Sequence, residues 1–408
     1  MTSPFELKTY DEAKAILDGM EFSDSTAELL PLHQCVGRTL AEDLIAPIDS
    51  PPFSNASMDG YGFQYRELIK EPLHVVGALF AGQSHSDLHE YTEVFDPSLH
   101  AVKIMTGAAI PSWIDTVIPI EDCETLPGGS EVVFRKIPPR GSHIRFKGED
   151  LPQGSLLLKR GTLLNPEHIM VAAAFGISQL RMKKNPRIII CSTGNELKDP
   201  GTPLEPGEIY NSSYPFLEVS LRALGLSPHK TIHLRDDWKE ISKFIASTLE
   251  QDDPIVIIST GAVSMGDGDM IPAIAQKMDF EVLFHKIAIR PGKPIFLAQK
   301  NNIIWLGLPG NPISTAVGWH FFAKPLLGRL LGLPEASYVK LTLKNDVIKP
   351  SGLRCFYRAE VRKPFAWVSS RQGSAHFAAS LTSQAYVILP ETTGRIPAGT
   401  PVDALLIS

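Results

Sequence analysis

The chain has 408 residues, of which 43% are hydrophobic and 21% are charged, and its formal net charge is −6. A chain of this length exceeds what one hydrophobic core usually serves, which predicts roughly two to four domains and argues against a small binding module. Acidic residues outnumber basic ones and there is no run of basic residues, which argues against a large nucleic-acid-binding surface. No stretch approaches the roughly 18 apolar residues of a membrane helix.

The N-terminal segment has no basic stretch followed by an apolar run, so no export signal is predicted. The segment predicts instead an amphipathic helix that begins at a capping box formed by Thr9 and Glu12. The four cysteines lie far apart without a CxxC pair. This spacing is typical of reduced thiols, and together these features predict a cytoplasmic protein.

Segments with different patterns follow one another along the chain. Residues 7–52 and 141–181 supply helices at both ends of residues 53–140, which have Pro and Gly punctuation and short apolar runs. This predicts a helical linker domain with an inserted β-rich domain. Residues 182–330 alternate apolar strands with helical patterns and predict an open α/β sheet domain. Residues 331–408 predict a C-terminal β-barrel-like domain, so the fold class is α/β plus β in a multidomain chain.

The α/β segment has the clearest pattern of individual elements. Strands are predicted at residues 187–191, 230–234, 255–258, 285–289 and 303–306. Helices are predicted at residues 213–224, at 238–249 with one apolar face, and from 312 to about 331. Two of the strands end in Ser-Thr-Gly, at the edge where an open α/β sheet binds its ligand.

Carboxylates follow three of these strands. Glu196 comes after the first strand, Asp236 and Asp237 after the second, and Asp267 and Asp269 after the third. Because the carboxyl ends of parallel strands meet at one edge, we expect these side chains to lie together. Oxygen ligands at such an edge suit Mg²⁺, which also keeps positions for water and phosphate. Helix capping is the alternative role for one member of the adjacent pair.

Cations occur in the segment HKIAIRPGKP. An extended strand would place Lys286 and Arg290 on one face and Ile287 and Ile289 on the other, with Lys293 following in a Pro-Gly turn. Cations beside a carboxylate edge are arranged to neutralise a phosphoanhydride in its transition state. Solvated side chains are the alternative interpretation, above all for Lys293.

Further short motifs lie in loops. GLPGNP, residues 307–312, joins a strand end to a helix start and favours an anion, although a plain turn capped by Asn311 explains it nearly as well. The other loops carry Asp59, Thr106, Arg145 with Asp150, and Ser374. Each of them alone could be an ordinary turn. His85 and His89 have helical spacing but no third ligand, so we interpret them as surface residues.

The motifs SMDGYG, IMTGAAIP, the loop of residues 145–150, STGNEL, VSMGDGD, RPGKP, GLPGNP and QGS follow one another in this order. In this combination, and over nearly the whole chain, the sequence resembles the MoeA and gephyrin E-domain family. The resemblance implies an elongated four-domain homodimer with a molybdopterin-binding α/β domain. It also implies molybdopterin molybdenumtransferase activity, in which molybdenum from molybdate enters adenylylated molybdopterin while Mg²⁺-dependent cleavage of the adenylate releases AMP.

The resemblance further implies the residues of the site. Catalytic roles are implied for Asp59, Asp236, Asp269, Lys286 and Arg290. Substrate binding is implied for Thr106, Arg145, Asp150, Glu196, Gly307, Pro309, Pro312, Arg358 and Ser374. The implied metal ligands are Glu196, Asp236 and Asp269, while Arg358 and Ser374 would touch the pterin or the phosphate. In the dimer, the loops of Asp59 and Thr106 would cover the α/β crevice of the partner.

Several positions depart from the family pattern. Thr260 and Ala262 stand where Ser and Gly are common, Arg290 stands where Lys is common, and Asn-Ser-Ser at residues 211–213 replaces a frequent Asp-Ser-Asn. The exchange of Lys for Arg keeps the charge but changes its geometry. These departures bear on individual roles more than on the family.

Two other functions fit parts of the pattern. A molybdopterin adenylyltransferase resembles the α/β segment alone, and a non-enzymatic gephyrin-like scaffold would use the dimer. We expect transient contacts with other cofactor-biosynthesis proteins and with apo-molybdoenzymes, and no partnership with nucleic acid or membrane.

Overall fold

The computed structural model describes residues 6–22, 26–69, 71–83, 88, 96–250, 254–263, 270–373, 376–392 and 394–407. The chain forms two compact units. The larger unit comprises Met1–Leu30, Cys35–Ala41 and Arg181–Ser408, and the smaller unit comprises Pro31–Gln34 and Glu42–Leu180. Among the described residues, every helix is too short or too polar to cross a membrane.

The helices and strands are numbered in chain order. The helices are α1 Tyr10–Gly19, α2 Pro166–Ala174, α3 Ser213–Arg222, α4 Trp238–Leu249, α5 Met270–Lys277, α6 Pro312–Gly318, α7 Lys324–Leu331 and α8 Ala378–Thr382. The strands are β1 Ala27–Pro31, β2 Leu44–Ile45, β3 Asn55–Ala56, β4 Gly60–Phe63, β5 Leu73–Leu79, β6 His100–Ile104, β7 Thr116–Pro119, β8 Cys123–Thr125, β9 Glu131–Phe134, β10 Ile144–Arg145, β11 Leu156–Leu158, β12 Gln179–Lys183, β13 Arg187–Thr193, β14 Leu197–Lys198, β15 Ile209–Tyr210, β16 Lys230–Leu234, β17 Ile255–Thr260, β18 Glu281–His285, β19 Ile289–Arg290, β20 Phe296–Lys300, β21 Ile303–Leu308, β22 Val339–Leu343, β23 Val347–Ile348, β24 Arg354–Arg362, β25 Phe365–Val368, β26 Ala385–Leu389, β27 Arg395–Ile396 and β28 Pro401–Leu406.

The predicted helix at the N-terminus is confirmed, together with its capping box. The Thr9 hydroxyl accepts a hydrogen bond from the Glu12 backbone N–H at 3.2 Å, and the Glu12 carboxylate accepts one from the Thr9 N–H at 2.7 Å. The apolar face of α1 buries Tyr10, Ala13 and Leu17 in the core of the larger unit. Because α1 has only 10 residues, burial of its apolar face stabilises it more than helix propensity does.

The α/β sheet of the larger unit has the strand order β16-β13-β17-β21-β20-β18. The first four strands are parallel, as predicted, and β20 is antiparallel to both of its neighbours. Side chains of β13 alternate between two cores: Ile188 and Ile190 pack with α1, α3 and α7, whereas Ile189 and Cys191 pack with α4 and α5. Helices therefore cover both faces, which explains the continuous apolar runs of these strands.

One predicted strand is wrong. The sequence predicts a strand over residues 285–289, but β18 ends at His285 and the two-residue β19 begins only at Ile289. Lys286 has a φ of 74°, and its N–H donates to Ile295 O at 2.9 Å. This left-handed residue ends the extended conformation, so side chains on its two sides no longer alternate between faces. The strand β20, which follows this segment, was not among the predicted strands.

The C-terminal part of the larger unit is a closed barrel. Its strands pair in the order β24-β25-β22-β28-β26, and β26 pairs back to β24. The barrel has its own core, which includes Leu341, Tyr357 and Val387. The strand β19 adds to β24, so it pairs with the barrel although it precedes α6 in the chain. The predicted β-barrel-like domain is confirmed.

The smaller unit is β-rich, as predicted. Its main sheet has the order β7-β4-β6-β5-β9-β8, and both faces are covered because neighbours such as Val117 and Ile118 lie in different clusters. Two short antiparallel pairs, β2 with β11 and β3 with β10, lie outside this sheet. Within its described residues this unit contains one α-helix, α2. The predicted boundaries of four domains stay a prediction.

Candidate functional site

A cavity of about 540 Å³ lies at the carboxyl ends of β13, β17 and β21. Glu196 and Asp236 both line this cavity, which we call the sheet-edge cavity. Their neighbour Asp237 has another task, because its carboxylate accepts the Glu240 N–H at 2.8 Å and caps α4. The structure therefore separates the adjacent pair into one carboxylate in the cavity and one helix cap.

The two Ser-Thr-Gly turns pack against each other beneath this cavity. The Thr193 hydroxyl donates to Thr260 O at 3.3 Å. A Cβ added at Gly261, whose φ is 91°, would lie 2.5 Å from Thr193 O. At Gly194, an added Cβ would lie 2.8 Å from an oxygen of the Glu196 carboxylate. The glycines are thus needed for backbone conformation and for close approach.

The predicted GLPGNP motif is a capped turn in the structure. The Asn311 side-chain oxygen accepts the N–H groups of Ile313 at 3.1 Å and Ser314 at 3.4 Å. Pro309 and Pro312 line the sheet-edge cavity. Gly307 lies inside β21, where an added Cβ would be 2.8 Å from a methyl of Val263. Gly307 therefore allows close packing, and the turn is held by Asn311.

One wall of the sheet-edge cavity was missed by sequence reasoning. Ile209 and Tyr210 of β15 line the cavity, and their side chains are 54% and 43% exposed. The Tyr210 hydroxyl donates to Thr202 O at 2.9 Å, which fixes the position of its ring. An apolar wall opposite polar groups is typical of small-molecule sites. The sequence feature that could have indicated this wall is the pair Ile209 and Tyr210 directly before the Asn-Ser-Ser segment.

The two predicted cations lie in different environments. Lys286 is only 7% exposed, whereas the exposed Arg290 lines a second cavity of about 550 Å³. This cavity, which we call the barrel cavity, is also lined by Lys349 and Tyr357. Lys349 donates to Pro350 O at 2.9 Å and to Leu353 O at 3.0 Å. Arg290 is therefore the more exposed cation of this cavity.

Arg358 is buried and binds a loop of the barrel. Its guanidinium donates to His376 O at 2.7 Å, to the Ser380 hydroxyl at 3.0 Å and to Gly373 O at 3.4 Å. Gln372 accepts the Arg358 N–H and donates to Arg358 O. Burial lowers the pKa of the guanidinium from its usual value. These contacts hold the loop that also lines the barrel cavity, with Gly373 at its edge.

In the smaller unit, two predicted residues meet. One oxygen of Asp59 accepts both the N–H and the hydroxyl of Thr106 at 2.7 Å. The backbone bond of Thr106, and then its hydroxyl, hold the pKa of Asp59 below its usual value. Arg145 is exposed on β10, next to β3, and Asp150 accepts the Ser50 hydroxyl at 3.4 Å.

Some predicted positions lie outside the described residues: Asp267, Asp269, Ser374, His85 and His89. The described part of the chain contains no group of three or more His, Cys, Asp or Glu side chains that could hold a metal. Of the predicted metal ligands, Glu196 and Asp236 are the two that the structure brings to one cavity.

Comparison with known proteins gives matches along most of the chain. Residues 8–176 match the MoeA N-terminal region (domain I and II), residues 189–329 a probable molybdopterin binding domain, and residues 340–407 the MoeA C-terminal region (domain IV). A molybdopterin molybdenumtransferase of Synechococcus elongatus is 36% identical over 386 residues, which cover 92% of this chain and 93% of the relative. That of Haemophilus influenzae is 33% identical over 405 residues, 97% of each chain.

Solved structures include the same architecture. The molybdopterin biosynthesis MoeA protein from Pyrococcus horikosii has a TM-score of 0.81 at 29% identity, and the match covers 99% of this chain and 100% of that chain. The α/β sheet, the barrel and the β-rich unit therefore occur together in a known protein.

Proposed function

We propose that this chain, which belongs to the MoeA family, is a molybdopterin molybdenumtransferase of molybdenum cofactor biosynthesis. It would insert molybdenum from molybdate into adenylylated molybdopterin, cleave the adenylate with a divalent cation and release AMP. The observation that carries the proposal is the presence of all three family regions, in order, in a chain whose sheet-edge cavity contains Glu196 and Asp236.

The chemistry of the sheet-edge cavity fits Mg²⁺. This ion binds few protein carboxylates and keeps several waters and phosphate oxygens as ligands. Glu196 and Asp236 are both exposed to the cavity, and two carboxylates are enough for such a site. They would hold the ion, which neutralises phosphate charge when it is bound. Asp269 remains the proposed third ligand.

Cleavage of the phosphoanhydride moves negative charge onto the phosphate of the departing AMP. Arg290 is exposed in the barrel cavity and offers a planar fork of donors for phosphate or molybdate oxygens. Lys286 contributes a buried positive charge three residues before β19. Fixed cations in a partly shielded site stabilise such a charge without reorganisation.

We further propose that the protein is a cytoplasmic homodimer and that its sites are shared. Asp59 and Thr106 are exposed and joined to each other in the smaller unit, with Arg145 exposed on β10. These side chains would complete the sheet-edge cavity of the partner. Transient contacts with other cofactor-biosynthesis proteins and apo-molybdoenzymes are part of the same proposal.

The alternative functions explain less of the chain. A molybdopterin adenylyltransferase requires only the α/β part, whereas family matches also cover residues 8–176 and 340–407. A purely structural scaffold leaves the two cavities with their carboxylates and cations without a role.

The direct test is an assay of the purified chain with adenylylated molybdopterin, molybdate and Mg²⁺. We expect AMP release and molybdenum incorporation in equal amounts, and neither product without molybdate. Consumption of ATP with formation of adenylylated molybdopterin would instead identify an adenylyltransferase.

A further inference from the structure

The turn that follows β13 is hydrogen-bonded to the segment that follows the neighbouring strand β16. The two strands are parallel, and Thr193 pairs with Leu234 at their last paired position. Beyond that position, the Gly194 N–H donates to Leu234 O at 3.4 Å. The Asp236 N–H donates to the side-chain oxygen of Asn195 at 3.3 Å. The two segments therefore stay linked after the pairing of the strands has ended.

A histidine of β16 makes the shortest of these contacts. The Nε2 atom of His233 lies 2.8 Å from Gly194 O. A carbonyl oxygen only accepts hydrogen bonds, so Nε2 carries the proton and His233 is the donor. The neutral ring in this tautomer and the doubly protonated ring both donate from Nε2, so the bond exists in either charge state. Gly194 has a φ of 151°, which glycine adopts readily, so the bonds from β16 fix the turn more than its own sequence does.

The side chain of His233 has no part in the core beside β16. Ile232 and Leu234 pack in the core with α4 and α5, so the alternation along the strand directs His233 to the opposite face. β16 is the edge strand of the α/β sheet, and His233 is exposed. Core packing therefore does not explain the contact between His233 and Gly194, and substitution of His233 should leave the fold intact.

The linked segments carry the two carboxylates of the sheet-edge cavity. Glu196 lies two residues after Gly194. Asp236 lies three residues after His233. Both carboxylates line the cavity, whereas His233 does not. The Glu196 backbone is also held from another side, because Glu196 O accepts the Ile209 N–H at 2.8 Å. The hydrogen bonds between the segments therefore determine how the two carboxylates lie relative to each other.

A small divalent cation needs its ligands at nearly ideal positions. Mg²⁺ takes oxygen ligands in octahedral geometry at roughly 2.0–2.1 Å. We propose that His233 and Asn195 are positioning residues, which hold Glu196 and Asp236 at the spacing that one divalent cation requires. This inference rests on the proposed function, which places the cation in the sheet-edge cavity. His233 and Asn195 would not touch the cation themselves but would act through the backbone that carries its ligands.

The test measures binding of Mn²⁺, which also prefers carboxylate ligands, to the full chain by electron paramagnetic resonance of the free ion. His233→Leu removes the donor and should weaken Mn²⁺ binding by roughly tenfold or more, as loss of a group that orients metal ligands typically does. His233→Gln keeps an N–H donor and should stay within about threefold of the original affinity. Asp236→Asn shows the effect of changing a ligand itself.

His229 supplies the matched control, because it links the same two strands at their opposite end. The guanidinium of Arg187, the first residue of β13, donates to His229 Nε2. His229→Leu therefore also removes a hydrogen bond between these segments, but away from the carboxyl ends where the cavity lies. This variant should bind Mn²⁺ as the unchanged chain does. Denaturant unfolding of both Leu variants shows whether a difference in stability accompanies the difference in affinity.

Asn195→Ala removes the other side-chain link and gives an independent result. It should also weaken Mn²⁺ binding by roughly tenfold. Excess Mg²⁺ should restore AMP release in His233→Leu and Asn195→Ala, because neither substitution removes a group that touches the substrate.

Three outcomes would overturn the positioning role. They are unchanged Mn²⁺ affinity in both His233→Leu and Asn195→Ala, an equal loss of affinity in His229→Leu, and no saturable Mn²⁺ binding by the unchanged chain. If Mn²⁺ binding changes as expected but adenylylated molybdopterin yields no AMP, the proposed function fails while the positioning role stands. If AMP is released but Mn²⁺ binding ignores these substitutions, only the positioning role is refuted.

Discussion

Asp59 accepts two hydrogen bonds from Thr106, one from the backbone N–H and one from the hydroxyl, both at 2.7 Å and both to the same carboxylate oxygen. The two residues are 47 positions apart in the chain. Their contact connects the loop before β4 with the loop after β6, and it leaves the second oxygen of Asp59 for another partner.

Replacement of Thr106 should separate the effects of its two hydrogen bonds on the pKa of Asp59. The backbone N–H is the larger cause of the lowered pKa of Asp59, and the hydroxyl is the second. Thr106→Ala should therefore raise the pKa of Asp59 only part of the way to its usual value, and Thr106→Ser should leave it unchanged. The stabilising effect of this carboxylate is present above its unfolded pKa and is lost as the pH falls through the folded pKa. Carboxyl NMR titration measures the shift, and identical curves for the Ala and Ser variants would contradict the assignment.

Gly261 and Gly201 form a matched pair for the contact between the two Ser-Thr-Gly turns. Both have positive φ, 91° and 97°, but an added Cβ meets Thr193 O at 2.5 Å in the first case and open space in the second. Gly201→Ala should lower the free energy of unfolding only by the cost of holding an alanine at positive φ. Gly261→Ala should lower the free energy of unfolding by about 1–3 kcal/mol more, because the turn must also move. Denaturant unfolding measures both values, and equal losses would show that the turns are not tightly packed.

Substitutions of Asp236 and Asp237 should separate the effect of metal binding from the effect of helix capping. Asp236→Asn should raise the Mg²⁺ concentration needed for AMP release and leave unfolding nearly unchanged, because its side chain lines the sheet-edge cavity. Asp237→Ala should lower the free energy of unfolding by about 1 kcal/mol through loss of the α4 cap. Its Mg²⁺ dependence should match the original chain. The reverse pattern would exchange the two roles, and full activity in excess EDTA would exclude a divalent cation.

Much of the fold could be predicted because its signals are local. The capping box of Thr9 and Glu12 requires residues at one spacing, and the buried parallel strands require continuous apolar runs. The sequence also predicted that Glu196 and Asp236 lie close together, since the carboxyl ends of parallel strands meet at one edge, and both line one cavity.

Other features depend on tertiary contacts that no local pattern contains. The left-handed Lys286 is held by its N–H bond to Ile295 O, so the chain leaves the strand at a residue without a turn signature. The burial of Arg358 depends on carbonyls that are 13 to 18 residues further along the chain. A sequence shows an arginine at that position but cannot show that its donors bind the loop.

Arg290 and Lys286 should both be required for turnover, for different structural reasons. Arg290→Ala removes an exposed cation of the barrel cavity, and Lys286→Ala removes a buried charge. Each should lower turnover by about 10² or more, as loss of charge stabilisation at a reacting phosphate does. Lys293→Ala is the control from the same segment, because its side chain is exposed, unlike that of Lys286, and does not line the barrel cavity, unlike that of Arg290. Near-original turnover in both test variants would refute the role of these cations.

Mixed dimers should reveal whether the site is shared between subunits. Asp59 lies in the smaller unit and Asp236 in the larger one. In a two-fold dimer, the surface around Asp59 of each subunit would lie against the surface around Asp236 of its partner. At a Mg²⁺ concentration that supports the original chain but not the Asp236→Asn variant, chains with Asp59→Asn and chains with Asp236→Asn should each be inactive alone. In their heterodimer, one composite site would contain both substitutions and the other would contain neither. Activity should therefore return to about half of the original level per dimer by this symmetry argument. Co-expression with two affinity tags isolates the heterodimer, and a verified heterodimer that stays inactive would place both residues in the site of one subunit.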